Sequence, residues 1–210
     1  LQKLREKLDA QGQLDGQKYL LTIAGGADTT YTGNTELSLI AKYVDYATIM
    51  TYDIHGIWDS YTDLNAPLYA PTETSPQYKW SADQSVKTWI AGGFPASKIV
   101  MGVPFYGYIF NGVSGGGTGL YKTYTSGKSI SYDSVLSTYL SNSSYAKYFH
   151  TDALVPWLFN GSTFISYENE SSIASKAKYI VQNNLAGASI WELSQNKGGQ
   201  LLNALTASLK

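Results

Sequence analysis

The stretch Tyr46-Ala47-Thr48-Ile49-Met50-Thr51-Tyr52-Asp53 decides how the rest of the chain is read. It opens as a short apolar run suited to a buried strand. It ends in Met50, Tyr52 and Asp53, with His55, Gly56 and Trp58 close behind. A strand buried on both faces has no use for a phenol and a carboxylate at its last positions. Where strands run parallel, however, ligands gather at their carboxyl ends. The segment alone leaves two readings open: a ligand-facing strand end, or a buried Tyr–Asp hydrogen bond that ties down a loop.

Outward from this strand, helices and strands alternate. Leu1, Leu4 and Leu8 follow helical spacing, which predicts an amphipathic helix over residues 1 to about 10 and a polar turn over Gln11–Gln17. No capping residue precedes Leu1, so the chain is expected to begin inside an element. Tyr19–Ala24 reads as a buried strand ending in Gly25-Gly26-Ala27, small residues that let another group approach the backbone. These glycines lack phosphate-loop spacing and do not read as a nucleotide site. A short helix is expected over Glu36–Lys42.

Beyond Asp53 a long irregular segment carries Trp58, Tyr61, Asn65, Tyr69, Tyr78 and Trp80, and segments of this kind are usually functional. Ser81 is expected to cap a helix that gathers Val86, Trp89 and Ile90 on one face. A third strand follows over Lys98–Tyr106. After the Gly-rich Asn111–Gly119 the alternation breaks. Asp133–Leu140 suits a helix, and Leu154–Phe159 with Thr163–Tyr167 suits a hairpin across Asn160-Gly161. It resumes with a helix capped by Ser171 or Ser172, a fourth strand over Ala188–Trp191 and a last helix around Gly199–Leu209. The fold class is α/β, with parallel strands joined by right-handed crossovers. A (β/α)8 barrel needs eight strands; four make half of one.

Composition narrows the function classes. The 210 residues are 43% hydrophobic, enough for one sizeable core. A net charge of -1 and no basic stripe argue against a nucleic-acid partner. No run of about 18 apolar residues is present, so no membrane span is expected. Absent cysteines remove disulfide and thiol chemistry. His55 and His150 have no ligand-spaced partners, so neither a metal nor a cofactor is expected. The excess is aromatic: 18 Tyr and 5 Trp, rings that suit a stacked sugar or a wet interface.

Four pieces now matter in order: Leu20–Ala24; Met50-Thr51-Tyr52-Asp53 with His55-Gly56 and Trp58; Met101-Gly102-Val103-Pro104-Phe105-Tyr106-Gly107; and Ser189-Ile190-Trp191-Glu192-Leu193-Ser194. Together they resemble the family 18 glycoside hydrolases, the chitinase family. Val155–Asn160 and Phe164–Tyr167 resemble that family's inserted subdomain. The resemblance implies the C-terminal half, strands five to eight, of a (β/α)8 TIM barrel with an inserted α+β subdomain. Residues 1–111 would hold strands five to seven, 112–168 the insertion, and 169–210 the last helix–strand unit and closing helix. It implies a substrate-assisted, retaining hydrolysis of β-1,4-linked N-acetylglucosamine, outside the usual two-carboxylate scheme. Tyr52 would hold the substrate N-acetyl group, with Asp53 accepting hydrogen bonds from the sugar. Ala24 and Met50 would shape the floor, Trp191 would be the platform under the sugar, and Trp58 and Tyr106 would contact sugars along the cleft. A cis peptide after Trp191 is implied, as is a secreted or cell-surface, bacterial location.

Two departures stand out. The family's general acid is the Glu closing an Asp-x-x-Asp-x-Asp-x-Glu motif on the fourth strand, and this chain has no such motif. Glu192, beside Trp191, reads as a structural partner near the rim rather than a substitute acid. Tyr108 stands where many members carry Arg. The chain by itself is therefore expected to be inactive, and to need a missing N-terminal half-barrel or a second copy. The alternative is a non-catalytic, lectin-like glycan binder on the same scaffold.

Overall fold

The computed structural model describes all 210 residues. In chain order the strands are β1 (Thr22–Gly25), β2 (Tyr46–Ile49), β3 (Ile99–Pro104), β4 (Tyr106–Asn111), β5 (Ser126–Ser131), β6 (Ala146–Phe149), β7 (Pro156–Phe159), β8 (Thr163–Ser166) and β9 (Gly187–Trp191). The helices are α1 (Gln2–Asp15), α2 (Thr29–Gly33), α3 (Leu37–Ile40), α4 (Ala82–Ala91), α5 (Tyr132–Ser134), α6 (Glu170–Gln182) and α7 (Gln200–Ser208). One sheet is four-stranded and parallel, in the order β1-β2-β3-β9. The other is antiparallel, in the order β5-β4-β8-β7-β6. No helix is long and apolar enough to cross a membrane.

The parallel sheet packs one face on helices. Side chains alternate along a strand, so Ala47, Ile49, Ile99 and Met101 share a face and are fully buried against Val86 and Trp89 of α4 and Tyr179 and Ile180 of α6. Trp89 is wholly buried, whereas Ile90, expected on the same face, is exposed. The alternate residues Thr22 and Ala24 of β1 are exposed, and Tyr46 and Thr48 of β2 are half-buried. Where β8 gives way to α6, Glu168 and Lys176 form an ion pair, both buried.

Several element ends differ from the sequence reading. α1 runs to Asp15, because only Gly16 takes the left-handed conformation (φ 67) that closes it; the turn read over Gln11–Gln17 begins later. The short helix α2, capped by the Asp28 side chain, was not foreseen. The strand read over Tyr19–Ala24 narrows to β1. The strand read over Lys98–Tyr106 is two: β3 stays paired with β9 as far as Pro104, opposite Trp191, and Tyr106 then opens β4 of the other sheet, opposite Ser131. The helix read over Asp133–Leu140 is α5 continued by a π-helical turn, Val135–Tyr139. Asn169 caps α6, not Ser171 or Ser172: its side chain takes the Ser172 N–H while the Ser172 hydroxyl takes the Asn169 N–H.

Gly25 and Gly26 are small for the sake of Trp89. A Cβ on Gly25 would sit 2.4 Å from the Trp89 ring, and the indole N–H donates to Gly26 O at 2.9 Å. The ring also stacks on Tyr31 at 5.5 Å. Gly25→Ala is therefore expected to displace a fully buried indole and lower stability by about 1–3 kcal/mol; a chemical-denaturation midpoint equal to wild type would contradict this packing.

Candidate active site

The strand–loop junction after β2 sets the site. β2 ends at Ile49, short of the Tyr52 read from sequence, because Met50–Asp53 leave the sheet. The buried Thr51 hydroxyl donates to Gly102 O on β3 at 2.7 Å. Gly102 makes room for Tyr52, since a Cβ there would lie 3.0 Å from that ring. Asp53 then takes a left-handed backbone, φ 56, a conformation that Asp tolerates better than most residues. Asn65 holds it there: its Oδ1 accepts the Asp53 N–H at 2.9 Å, and its carbonyl accepts the Ile54 N–H at 2.9 Å. Asn65 is itself buried and donates its own N–H to Ser166 Oγ on β8 at 2.8 Å.

The Asp53 carboxylate meets two phenols from β4. Tyr106 donates to Oδ1 at 2.5 Å and Tyr108 to the same oxygen at 2.8 Å; Oδ2 has no protein donor. Burial, reinforced by the hydrogen bond and charge of Asp53, pushes both phenols well above the usual tyrosine range. Burial first, then the Asp53 charge, also raises Tyr52. All three phenols therefore stay protonated and remain hydrogen-bond donors at neutral pH. Trp58 folds over Gly56 and meets Tyr108 edge-on at 5.5 Å, with more than half its surface open. Its turn is closed by Asp59, which pairs with His55 Nδ1 at 3.0 Å and accepts the Gly56 N–H at 3.1 Å.

Two hollows meet at Asp53. The first, about 300 Å³, is lined by Asp28, Met50, Tyr52, Asp53, Tyr78 and Trp80 among others. The second, about 220 Å³, is lined by Asp53, Tyr106, Tyr108, Ser129, Trp191 and Gln195. The fold thus gathers Met50, Tyr52, Asp53, Tyr106 and Trp191 around one carboxylate. Ala24 lies outside both hollows, on the open face of β1 beside Thr48. Trp58 also lies outside both, against Tyr108. The Trp191–Glu192 peptide is cis, and Glu192 accepts a hydrogen bond from the Ser194 hydroxyl.

Tyr108 is a full partner in the site, although the sequence marked it only as a departure. The signal was there: Tyr106 and Tyr108 are two apart on a strand and so share a face. Asn65, Ser129 and Gln195 carried no such signal. Gln195 Oε1 is buried without a hydrogen-bond partner beside the second hollow. A third grouping, Glu73, His150 and Asp152, brings three potential metal-ligand atoms within 4.8 Å. Its imidazole is already committed, however. Nδ1 accepts the Asp152 and Ala153 N–H groups at 3.2 Å each, and Nε2 therefore donates to Glu73 at 2.7 Å.

The family model "Glycosyl hydrolases family 18" matches residues 1–196. Chitinase A1 of Niallia circulans is 42% identical over 224 residues, covering 100% of this chain and 32% of that protein. Chitinase B of Serratia marcescens is 30% identical, covering 98% of this chain and 52% of its own length. A family 18 N-acetylglucosaminidase from Paenibacillus barengoltzii superposes with a TM-score of 0.94 at 36% identity, over 99% of this chain and 61% of that one. The chain thus spans between a third and about three fifths of these relatives.

The raised phenols make a pH prediction. A group whose folded pKa lies above its unfolded value contributes stability that is fully present below the unfolded pKa and is lost as pH rises. Stability is therefore expected to hold up to about pH 10 and to fall above it. In a spectrophotometric titration Tyr52, Tyr106 and Tyr108 should ionise only after the exposed tyrosines; Phe variants at these positions that remove absorbance from the early phase would refute the burial.

Proposed function

The chain belongs to family 18 of the glycosyl hydrolases, and on that footing we propose that it supplies strands five to eight of a (β/α)8 barrel hydrolysing β-1,4-linked N-acetylglucosamine chains. The observation that carries the reading is the meeting of the two hollows at Asp53, with Tyr52 in one and Trp191 in the other. The half-barrel rests on the parallel sheet. Parallel sheets bury both faces, yet this one packs a single face and leaves Thr22 and Ala24 exposed on the other. An N-terminal half carrying four more strands would cover that face and close the barrel.

In the proposed reaction one sugar lies over the open face of Trp191, through apolar and CH–π contact. Its acetamido oxygen attacks the anomeric carbon, and the glycosidic C–O bond breaks as the leaving oxygen takes a proton from an acid on the other half. Water then opens the cyclic intermediate from the same face as the departed group, so configuration is retained. Tyr52, kept protonated by burial and by the Asp53 charge, donates to the acetamido oxygen and fixes its line of attack. Asp53 Oδ1 is occupied by Tyr106 and Tyr108; Oδ2 takes the acetamido N–H, whose positive character grows as the ring forms. The nucleophile is the substrate's own, so the route needs no metal or cofactor. A polymer of this kind is met outside the cell, which fits a secreted or cell-surface bacterial enzyme.

In the intact protein Tyr52→Phe should lower kcat by about 10²–10³ with little change in KM, whereas Trp191→Ala should mainly raise KM. The 210-residue chain alone should release no sugar, because the Asp-rich, Glu-terminated strand is not part of it; activity of the lone chain would overturn the mechanism. The second reading, a lectin-like binder, is separated from the first by that same motif. Glu at its end in the intact protein makes an enzyme; Gln or Leu makes a binder.

A further inference from the structure

We propose that Tyr78 is an aromatic platform for a second sugar ring, adjoining the one over Trp191; the inference rests on the glycan-cleaving reading above. Tyr78 is the most exposed aromatic ring in the chain among the large hydrophobic residues, at 69%. Nothing in the core requires it, and an exposed phenol is stable where it stands only if its surroundings hold it. They do. One face stacks on Trp80, with ring centroids 5.8 Å apart and planes inclined by 19°. Trp80 is buried, and its indole N–H points between Ala27 O and Ser85 Oγ, each at 2.9 Å. The platform therefore has a rigid backing.

The loop that presents Tyr78 is pinned on both sides. Just before it, Gln77 Nε2 donates to the buried Asp63 carboxylate at 2.8 Å. Just after it, Lys79 Nζ donates to Pro71 O at 2.9 Å. At the base, Thr72 N donates to Asp152 at 3.2 Å, and Glu73 accepts from His150 at 2.7 Å and from Tyr121 at 3.2 Å. The carboxylate–imidazole grouping thus anchors the Tyr78 loop to the second sheet's domain. An ordered aromatic loses little conformational entropy when a ligand stacks on it.

The hollow in front of Tyr78 is continuous with the reacting centre, since Met50, Tyr52 and Asp53 line it too. Its volume of about 300 Å³ is at the lower end for a small-molecule pocket, which suits one sugar unit. Asp28 lines the same hollow and supplies a polar group. Its Oδ1 is used to cap α2, accepting the Tyr31 N–H at 2.8 Å, and its Oδ2 has no protein donor. A free carboxylate oxygen and an exposed aromatic ring lining one hollow match a pyranose, which offers hydroxyls at its edge and C–H groups on its face.

The test uses the intact protein and non-cleavable, thio-linked N-acetylglucosamine oligomers of two and four units, titrated calorimetrically. Tyr78→Ala should weaken tetramer binding about tenfold and remove most of the affinity gained between two units and four. Tyr78→Phe should keep that gain, because the ring and not the hydroxyl does the stacking. Tyr78→Ser replaces the alanine variant if the latter's melting temperature falls. Wild-type affinity for both oligomers in Tyr78→Ala, with Trp191→Ala still impaired, would overturn the platform and leave the proposed function standing. If wild type binds neither oligomer, the proposed function falls and the platform with it.

Discussion

Asp53 sits at a backbone conformation that costs a non-glycine residue about 1–2 kcal/mol, and the functional half of the molecule depends on its being held there. Asn65 receives its N–H and that of Ile54, and two phenols close on its carboxylate. Hydrogen bonds to a charged group contribute about 1.5–3 kcal/mol each, so the two phenols alone outweigh the backbone penalty. The same contacts join the two sheets. Asp53 follows β2 of the parallel sheet, its phenolic partners stand on β4 of the antiparallel one, and Asn65 is fastened to Ser166 on β8.

The parallel sheet itself is decided by its helical side. Ala47, Ile49, Ile99 and Met101 form a flat apolar face, and Trp89 is the largest piece laid upon it. The indole reaches far enough to touch the backbone of Gly25 and Gly26, so those two glycines and that tryptophan form one packing unit. The open side carries Thr22, Ala24, Tyr46 and Thr48, a mix of small and polar-edged residues. It suits a ligand-bearing interior better than a second helical layer. The difference between the faces is what makes the proposed barrel half intelligible.

Much of this was legible beforehand. Helical spacing and capping located α4 from Ser81, and Asn160-Gly161 marked the hairpin of β7 and β8. Trp89 was readable as core from its neighbours at helical spacing. The placement of Met50, Tyr52 and Asp53 just beyond one strand and of Trp191 at the end of another also followed from order and spacing; Tyr106, read as the end of the third strand, instead opens β4. What was misread has physical causes. Asn169 competes with Ser171 and Ser172 as a cap, and only the local backbone shows which side chain reaches the Ser172 N–H. β3 pairs with β9 while β4 pairs with β5 and β8, partners far apart in sequence, and that change of partner splits one apparent strand into two.

The sequence by itself determined the α/β alternation, the apolar face of each strand and the family motifs, because these depend on residue types at short, regular separations. The tertiary structure decided the rest: that Tyr106 and Tyr108 share one oxygen of Asp53, that Asn65 pins its backbone, and that Tyr78 rests on Trp80 beside Met50 and Tyr52. These join groups on different strands or at separate points of one long loop. Their distances are set by how the two sheets and the long loop pack, and no periodicity along the chain encodes that packing.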